Sequence, residues 1–471
     1  MRTFDIIIIG AGLSGCAAAI AASRRGKSVA LIERGKRPGA KNVIGGILYS
    51  SVLDRLIPDF STTAPIERHV VSRSFSFLTG DSNVSFEVGS DRYNQAPDFN
   101  RSYTIRRTQF DPWLVAKAKE AGAVLVPSTV VDGLLHQDND PNGPVIGVRC
   151  RRENGEIGAR VVIIAEGANA LIAESDTLRA KTQPDEVMLG VKQIRRLDRT
   201  RIEDRFRLSE TSGRAFEFFG DPARGGFGSG FVYTNLDSLS AGITVSLAHL
   251  RRIAMPPPEM LDRFLAHPVV APLIRDSEPI EYCAHLLPIG TTVKAPQLVR
   301  DGVILAGDAA RLANMSHYKE LSNLVTASGV AAGEAAADAI DRNDTSSAGL
   351  KGYTERLASG FVFRDIKKYE RLADLVENSP GLLEKYPRLI VDAMVEHFSV
   401  SEKSKEEVER AVLRAFNREV KPAELRRVMM DVLDAMGFAL MPLMRKMVAP
   451  SLVPSWNWKH LFQSKSRKQL R

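Results

Sequence analysis

The stretch FDIIIIGAGLSG, at residues 4–15, decides the fold of this 471-residue chain. Its four consecutive isoleucines predict a strand that is buried on both faces, as in a parallel sheet. The strand runs into a Gly-x-Gly-x-x-Gly turn, in which Gly10 makes the turn and Gly12 leaves room for a pyrophosphate. Gly15 lets the following helix pack closely, and the N–H groups at the start of that helix favour phosphate.

A second apolar stretch, SVALIE at residues 28–33, predicts the next strand and ends in Glu33. In dinucleotide-binding folds a carboxylate at this point accepts a hydrogen bond from a ribose hydroxyl. A glycine-rich loop of another α/β protein is the alternative. Because strand, turn, helix and acid occur together, the sequence favours dinucleotide binding.

The segment DGVILAGDAA, at residues 301–310, bears on which dinucleotide is bound. It predicts another strand that ends at Gly307-Asp308, where ligands bind in open α/β sheets. A carboxylate there can bind a ribityl chain, which FAD has and NAD lacks. Asp308 as a helix N-cap is the alternative, and the two roles are compatible. The wide separation of the two motifs favours FAD.

The composition is that of an ordinary globular protein, with 44% hydrophobic and 25% charged residues. No run of about 18 uncharged apolar residues occurs, so we expect no transmembrane helix. Because the start leads directly into a predicted strand, we expect no signal peptide. The three cysteines are far apart and predict neither structural disulfides nor an iron–sulfur cluster, and no metal-ligand spacing occurs. We therefore expect no metal site and a cytoplasmic location.

The net charge of +8 is partly concentrated in the last residues, 459–471. No nucleic-acid-binding module accompanies it, so we expect no nucleic-acid partner. Residues 429–447 are rich in methionine and apolar, and two tryptophans precede the basic tail. This pattern predicts a peripheral contact with the inner face of the membrane or a quinone entrance. A helix packed on the body, followed by a solubilising tail, is the alternative.

The chain divides into four parts, and the predicted fold class is α/β. The stretch VVIIAEG, at 161–167, predicts a further buried strand that returns the chain to the dinucleotide sheet. The predicted parts are a FAD-binding domain at 1–184 with a hairpin inserted at about 66–100, an antiparallel-sheet substrate domain at 185–296, a return to the FAD-binding domain at 297–345, and a helical region with a basic tail at 346–471.

Several segments, taken in order, are shared with a known group of flavoproteins. They are GAKNVIGGILY at 39–49, YTIRRTQFD at 103–111, GFGSGFVYTN at 226–235, GDAA at 307–310, SN at 322–323 and ENSP at 377–380. Together they resemble the FAD-dependent electron-transfer-flavoprotein:quinone oxidoreductases, in particular the shorter bacterial FixC-type proteins. Geranylgeranyl reductases and aromatic hydroxylases are broader relatives. The resemblance extends from residue 5 to about residue 387.

The resemblance implies a glutathione-reductase-type Rossmann FAD domain, an antiparallel sheet lobe and a helical C-terminal region. It also implies which residues contact FAD: Gly10, Gly12, Leu13, Ser14, Gly15, Glu33, Arg34, Lys41, Asn42, Val43, Gly45, Gly46, Arg107, Val130, Glu166, Gly167, Gly307, Asp308, Leu321, Ser322 and Asn323. In this set the loop from Lys41 to Gly46 would lie along the isoalloxazine. Arg107 would reach the phosphate or ribose region and Val130 the adenine. A surface arginine and a core valine are the alternatives.

The chain departs from the family pattern just before Ser322, where a glycine is usual and Leu321 stands. A leucine adds bulk beside the flavin and disfavours a positive φ. The departure predicts a shifted loop, a differently held flavin or a changed reaction. The catalytic residues are unknown, because the chemistry centres on the flavin. His317 and Tyr318 are the candidates, as hydrogen-bonding groups or as an acid and base, and a partly buried polar loop is the alternative.

The function expected from the resemblance is electron transfer from an electron transfer flavoprotein to a quinone. The stretch GFGSG, at 226–230, lacks the strand and helix of a nicotinamide site, which fits a protein donor. A separate ferredoxin subunit would have to supply any cluster. A dehydrogenase, reductase or monooxygenase acting on a small organic or isoprenoid substrate is the alternative. A flavin-bound assembly protein without turnover is a third.

Overall fold

The protein is described here by a computed structural model, which covers residues 2–40, 46–96, 99–290, 296–316, 320–379, 381–420 and 427. The strands are β1 Arg2–Ile9, β2 Val29–Ile32, β3 Gly46–Tyr49, β4 Ile66–Leu78, β5 Asn83–Gly89, β6 Ser102–Ile105, β7 Val124–Val126, β8 Val131–His136, β9 Val145–Cys150, β10 Glu156–Ile164, β11 Val187–Arg196, β12 Ser212–Gly220, β13 Gly228–Thr234, β14 Ser238–Ser246, β15 Glu278–Pro288, β16 Val299–Arg300 and β17 Val303–Leu305. The helices are α1 Leu13–Arg24, α2 Ser51–Leu56, α3 Phe60–Thr63, α4 Arg107–Glu120, α5 Leu171–Ser175, α6 Arg199–Phe206, α7 Leu247–Ile253, α8 Pro257–Ala266, α9 Ala271–Ile274, α10 Leu321–Asp341, α11 Ser347–Leu350, α12 Gly352–Ser359, α13 Val362–Asn378, α14 Lys385–Phe398 and α15 Lys405–Glu419.

The first sheet has parallel strands at its centre, in the order β17-β10-β1-β2-β7. Ile6 of β1 lies opposite Val161 on one side and Val29 on the other. Ile6, Ile7 and Ile8 have no exposed surface, as expected for a strand covered on both faces. The strand predicted at 161–167 is confirmed as the end of β10, and β16 and β9 extend the sheet in antiparallel directions.

Helix α10 packs directly on the backbone of α1. A Cβ atom added to Gly329 would lie 2.1 Å from the Ser14 carbonyl oxygen, and one added to Gly333 would lie 2.4 Å from that of Ala18. Any larger residue at these two positions would push the helices apart. Both helices belong to the same apolar core as the first sheet.

The second sheet has the order β15-β11-β14-β13-β12-β4-β6-β3, with β5 paired to β4. Its neighbouring strands are antiparallel except β4 and β12, which run parallel. The hairpin predicted at about 66–100 is present as β4 and β5. Because β4 pairs with β12, this hairpin belongs to the second sheet. The domain limits drawn from the sequence stay a prediction.

Helices α6 and α8 cover one face of the second sheet. The apolar side chains between them and the strands include Val191, Ile202, Phe206, Phe218, Val232, Ile243, Leu261 and Phe264. Those of them that lie on strands, Val191, Phe218, Val232 and Ile243, alternate with residues that point to the opposite face. The opposite face is therefore left for the site described below.

The C-terminal part is helical, as predicted, through α15. Helix α12 packs on α10, and α14 packs on β4 and β5. The methionine-rich stretch 429–447 and the basic tail 459–471 lie outside the described residues. Within the described part of the chain, no helix is both long enough and apolar enough to cross a bilayer.

Candidate functional site

A cavity of about 460 Å³ opens at the carboxyl ends of the parallel strands. Its walls come from the turn after β1, the loops after β2, β10 and β17, the start of α4 and the strands β11 and β15. This is the edge at which ligands bind in open α/β sheets. The structure therefore brings together residues that are far apart in sequence, including Gly10, Glu33, Arg107 and Asp308.

The turn between β1 and α1 forms the floor of this cavity. Gly10 has a φ of +102°, and a Cβ atom there would lie 2.4 Å from the Ala165 carbonyl oxygen, so only glycine fits. A Cβ atom on Gly12 would extend into the cavity, with Arg107 Nη2 as its nearest neighbour at 3.9 Å. Helix α1 has no side-chain cap at Gly12, so its first N–H groups are available to an anion.

Three more predicted residues support this turn. A Cβ atom on Gly15 would lie 1.9 Å from the Gly10 carbonyl oxygen, which explains the third glycine of the motif. Leu13 and Ser14 are buried in the first turn of α1. Ser14 packs against Gly307, which follows β17. The two motifs recognised in the sequence therefore touch each other.

Glu33 lies in the cavity wall, at the end of β2. Its Oε2 accepts a hydrogen bond from Ala11 N at 3.1 Å and its Oε1 one from Gly35 N at 2.7 Å. The carboxylate thus joins the glycine turn to the loop after β2. Arg34 follows it as an exposed residue of the same wall.

Arg107 is a cavity residue and not a surface arginine. Its side chain is 11% exposed, and it forms a bidentate ion pair with Asp111, in which Nη2 lies 2.9 Å from Oδ2. The coulombic effect of this pair favours the charged arginine. Asp111 was missed by the sequence reasoning, although its position four residues after Arg107 on one helix was a usable signal.

Asp308 has a buried oxygen, Oδ1, without a hydrogen-bond partner in the described structure. Burial raises the pKa of this carboxyl group to about 6, against the attraction of Arg107 and Arg179. An unsatisfied buried acceptor at a cavity wall requires a donor from a ligand or water. A polyol hydroxyl supplies such a donor, so the residues present here fit the ribityl chain of FAD.

The remaining predicted residues of this region line the loop side of the cavity. Glu166 accepts hydrogen bonds from Ile172 N at 3.1 Å and Ala173 N at 3.0 Å, so its carboxylate caps α5. Gly167 has a φ of +82° beside it. Val130 is 39% exposed on the cavity wall and is not part of the core.

Helix α10 begins at Leu321, and its first turn is held by contacts with β3 and α2. Ser322 Oγ accepts a hydrogen bond from Tyr49 N at 2.7 Å, and Asn323 Oδ1 accepts one from Val52 N at 3.1 Å. Leu321 has helical backbone and is not among the residues with positive φ. Its side chain packs with Met188 and the cluster around it.

The leucine therefore needs no left-handed conformation, and Ser322 and Asn323 hold the helix in place through their side chains. Gly46 is described as the first residue of β3. The other predicted loop residues, Lys41, Asn42, Val43 and Gly45, lie outside the described residues. So do His317 and Tyr318, the candidates for catalysis.

Two ionisable residues of the second sheet were missed by the sequence reasoning. Burial lowers the pKa of His285 to about 4, with the positive charges of Arg107 and Arg34 acting in the same direction. His285 lies in the cavity wall. Burial also lowers the pKa of Lys192 to about 8. Lys192 lies opposite Cys283, two residues from His285 on β15. The sequence placed both residues in the antiparallel-sheet domain at 185–296, and alternation along β11 and β15 was the signal that could have found them.

Comparison with protein families gives two matches along the chain. Residues 5–187 match the family of FAD dependent oxidoreductases. Residues 372–437 match the C-terminal domain of the ETF-QO/FixC family.

Curated relatives match nearly the whole chain. The protein FixC of Azorhizobium caulinodans is 42% identical over 88% of this chain and 94% of its own length. A probable electron transfer flavoprotein-quinone oxidoreductase of Escherichia coli is 36% identical over 87% of this chain and 94% of its own. Among solved structures, a geranylgeranyl bacteriochlorophyll reductase-like protein of Thermoplasma acidophilum matches with a TM-score of 0.67 and 21% identity, covering 91% of this chain and all of that one. The structural match shows a shared fold.

Proposed function

The chain belongs to the FixC/ETF-QO family of FAD-dependent oxidoreductases, and we propose that it passes electrons from an electron transfer flavoprotein to a quinone. The observation that carries the proposal is the similarity, along nearly the whole chain, to a probable electron transfer flavoprotein-quinone oxidoreductase. The cavity adds support, because its residues fit the cofactor such a reaction needs.

Each part of the cavity has a task in holding that cofactor. The turn around Gly12 and the start of α1 would bind the pyrophosphate through backbone N–H groups. Glu33 would accept from the adenosine ribose, and Asp308 would accept from the ribityl chain through its buried oxygen. FAD, when bound, supplies a carrier that takes up and releases electrons singly or in pairs.

The first turn of α10 would stabilise negative charge on the flavin ring. A helix N-terminus carries a partial positive charge, which stabilises negative charge placed against it. Ser322 and Asn323 fix this helix end to β3 and α2 through their side chains. Because both contacts are to the protein backbone, the N-terminus is held before any ligand arrives.

A protein donor fits the arrangement better than a nicotinamide. The glycine-rich stretch at 226–230 leads into β13 of the second sheet, so it does not form a strand–turn–helix nucleotide unit. We also propose that a separate ferredoxin subunit supplies any iron–sulfur cluster. The chain has three cysteines, and such clusters use four cysteine ligands. Because the proposed acceptor is a quinone, we also propose that the chain is cytoplasmic and contacts the inner face of the membrane peripherally.

An anaerobic stopped-flow experiment tests the proposal. The purified flavoprotein is reduced with dithionite and mixed separately with a short-chain ubiquinone and with oxygen, while flavin absorbance is followed. We expect fast reoxidation by the quinone and slow reaction with oxygen. In a second series, reduced electron transfer flavoprotein replaces dithionite and should reduce the protein within the time of turnover.

The opposite pattern would overturn the proposal. Slow reaction with quinone and rapid reaction with oxygen would favour a dehydrogenase, reductase or monooxygenase acting on a small organic or isoprenoid substrate. A bound flavin that reacts with no acceptor would favour a role in assembly without turnover.

A further inference from the structure

Five side chains of the second sheet form a polar group that we call the Arg73 cluster: Tyr49, Arg73, Ser102, Glu217 and Tyr233. Arg73 Nη1 lies 3.5 Å from Glu217 Oε1, and Arg73 Nη2 donates to Tyr49 OH at 2.9 Å and to Ser102 Oγ at 3.2 Å. The guanidinium also lies over the Tyr49 ring, 5.4 Å from its centroid. These contacts join strands β3, β4, β6 and β12 at one place.

The cluster points away from the helices that cover the second sheet. Residues directly opposite each other on paired strands share a face. Arg73 lies opposite Ala215, which in turn lies opposite Tyr233. Val232, the neighbour of Tyr233, packs on the helix layer. Arg73 and Tyr233 therefore occupy the other face of the sheet.

That face adjoins the elements expected to hold the flavin. Tyr49 donates its backbone N–H to Ser322 Oγ, at the first turn of α10. A Cβ atom added to Gly46 would lie 4.0 Å from Tyr233 Cε2. Gly46 is the end of the loop predicted to lie along the isoalloxazine. The Arg73 cluster is thus next to both the helix end and the loop.

The cluster combines groups that stay protonated, and so remain hydrogen-bond donors, with aromatic rings. Burial raises the pKa of Tyr49 and of Tyr233 above the ordinary value, so both phenols stay protonated at physiological pH. Arg73 stays charged in any case. Tyr49, Arg73 and Tyr233 each keep part of their surface exposed, and the Phe231 ring stacks on Tyr233 with centroids 4.8 Å apart.

We propose that the Arg73 cluster binds a carbonyl oxygen of the quinone acceptor, an inference that rests on the proposed function. Arg73 and the Tyr233 hydroxyl act as donors to that oxygen, and the stacked rings of Phe231 and Tyr233 lie against the quinone ring. Negative charge develops on a quinone oxygen as it is reduced. A fixed cation and neutral phenols stabilise that charge more strongly than they stabilise the neutral acceptor.

The test measures binding directly, as well as turnover. The oxidised holoenzyme is equilibrated with a short-chain ubiquinone in a dialysis cell, and its dissociation constant is compared between variants. Tyr233→Phe removes one neutral donor and should weaken binding about 3- to 10-fold, whereas Arg73→Lys should weaken it about 10-fold or more. In turnover the loss should appear in both KM and kcat for the two variants, and it should be larger for Arg73→Lys.

Two matched controls come from the same sheet. Arg214 lies opposite Ser72, the neighbour of Arg73, and therefore points to the other face, where it pairs with Glu87. Tyr282 on β15 is 53% exposed. Arg214→Lys and Tyr282→Phe should leave the dissociation constant within twofold of the wild type. All variants are checked for FAD content. If Arg73→Lys does not fold, Tyr233→Phe decides.

The outcomes separate this inference from the proposed function. If both cluster variants bind and reduce the quinone as the wild type does, the Arg73 cluster only stabilises the sheet and the inference is overturned, while quinone reduction stands. If the wild type is not reoxidised by quinone, the proposed function fails and the inference fails with it.

Discussion

The β1–α1 turn and the face of the second sheet that carries the Arg73 cluster differ in the groups that they offer to a ligand. The turn offers backbone N–H groups in a space kept free by glycines, and a Cβ atom at Gly10 would overlap a backbone oxygen. The sheet face offers charged and phenolic side chains, such as Arg73 and Lys192, in buried surroundings. Substitutions in the first region therefore act through steric overlap and should have large effects. Substitutions in the second region act through charge, so their effects on stability should depend on pH.

The steric side of this contrast predicts the largest effect. Gly10→Ala places a methyl group against Ala165 O in a left-handed backbone, so we expect a loss of about 3 kcal/mol or more and most of the bound FAD. Flavin absorbance per protein and thermal unfolding measure both. Gly26→Ala is the control, because Gly26 also has a positive φ but open space around it. It should cost about 1 kcal/mol and leave FAD in place; equal losses would contradict the steric explanation.

Asp308 is an exception to the difference between the two regions, because it follows a strand of the first sheet but acts through its charge. Its pKa of about 6 in the fold exceeds the usual 3.8, so the folded apoprotein binds a proton more readily than the unfolded chain. Stability should therefore fall as the pH rises from about 4 to 6, by about 3 kcal/mol in total. Asp308→Asn should keep that stability at pH 7 and weaken FAD binding about 10-fold.

Urea unfolding of the apoproteins at pH 5 and pH 7 tests this prediction, and titration with FAD tests the affinity. Asp81→Asn, in the exposed turn between β4 and β5, is the control and should change neither quantity. A variant with the same pH dependence as the wild type would show that Asp308 is not the source of the slope.

Lys192 predicts a slope of the opposite sign. Burial lowers its pKa to about 8 in the fold, so between about pH 8 and 10.5 the unfolded chain binds the extra proton. Wild-type stability should rise across that window, and Lys192→Met should remove the rise while gaining about 3 kcal/mol near pH 7. Arg195→Met, on the same strand, is the control in denaturant unfolding from pH 7 to 10. An unchanged slope in Lys192→Met would assign the effect elsewhere.

We expect the smallest effect from a substitution of Leu321, which lies where the first turn of α10 meets the second sheet. Its backbone is helical and its side chain is partly buried against the cluster that contains Met188, so Leu321→Gly should cost about 2 kcal/mol of stability. The rate of reoxidation by quinone in stopped flow should change less than twofold. A large rate change without a stability change would mean that the leucine side chain takes part in the reaction.

The sequence was informative where function rests on neighbours in the chain. Gly10, Glu33 and Asp308 belong to short patterns whose spacing follows from one strand, one turn and one helix. Arg107 was found by resemblance, but its partner Asp111 was not, although both lie on one helix turn. The conformation of Leu321 could not be predicted from the sequence, because it depends on how the start of α10 packs.

The sequence could not predict which residues of the second sheet lie next to each other, because strand order and register depend on the tertiary structure. Arg73 and Glu217 are separated by 144 positions, and they meet only because β4 and β12 run parallel. The same parallel pair joins the hairpin predicted at 66–100 to β12, a pairing that the sequence did not predict. Alternation indicated strands but not which strands are neighbours.

The contact between α1 and α10 also sets the distance between the N-termini of the two helices. Gly329 lies against Ser14 and Gly333 against Ala18, so the two helices run in the same direction. Helix α10 begins eight residues before Gly329 and α1 begins one residue before Ser14, so the N-terminus of α10 lies about 10 Å beyond that of α1. Two positive helix ends at a fixed offset select ligands by the distance between their electron-rich groups. Riboflavin, which has no phosphate, would satisfy one end only, so the offset that Gly329 and Gly333 set would favour a flavin that carries a phosphate.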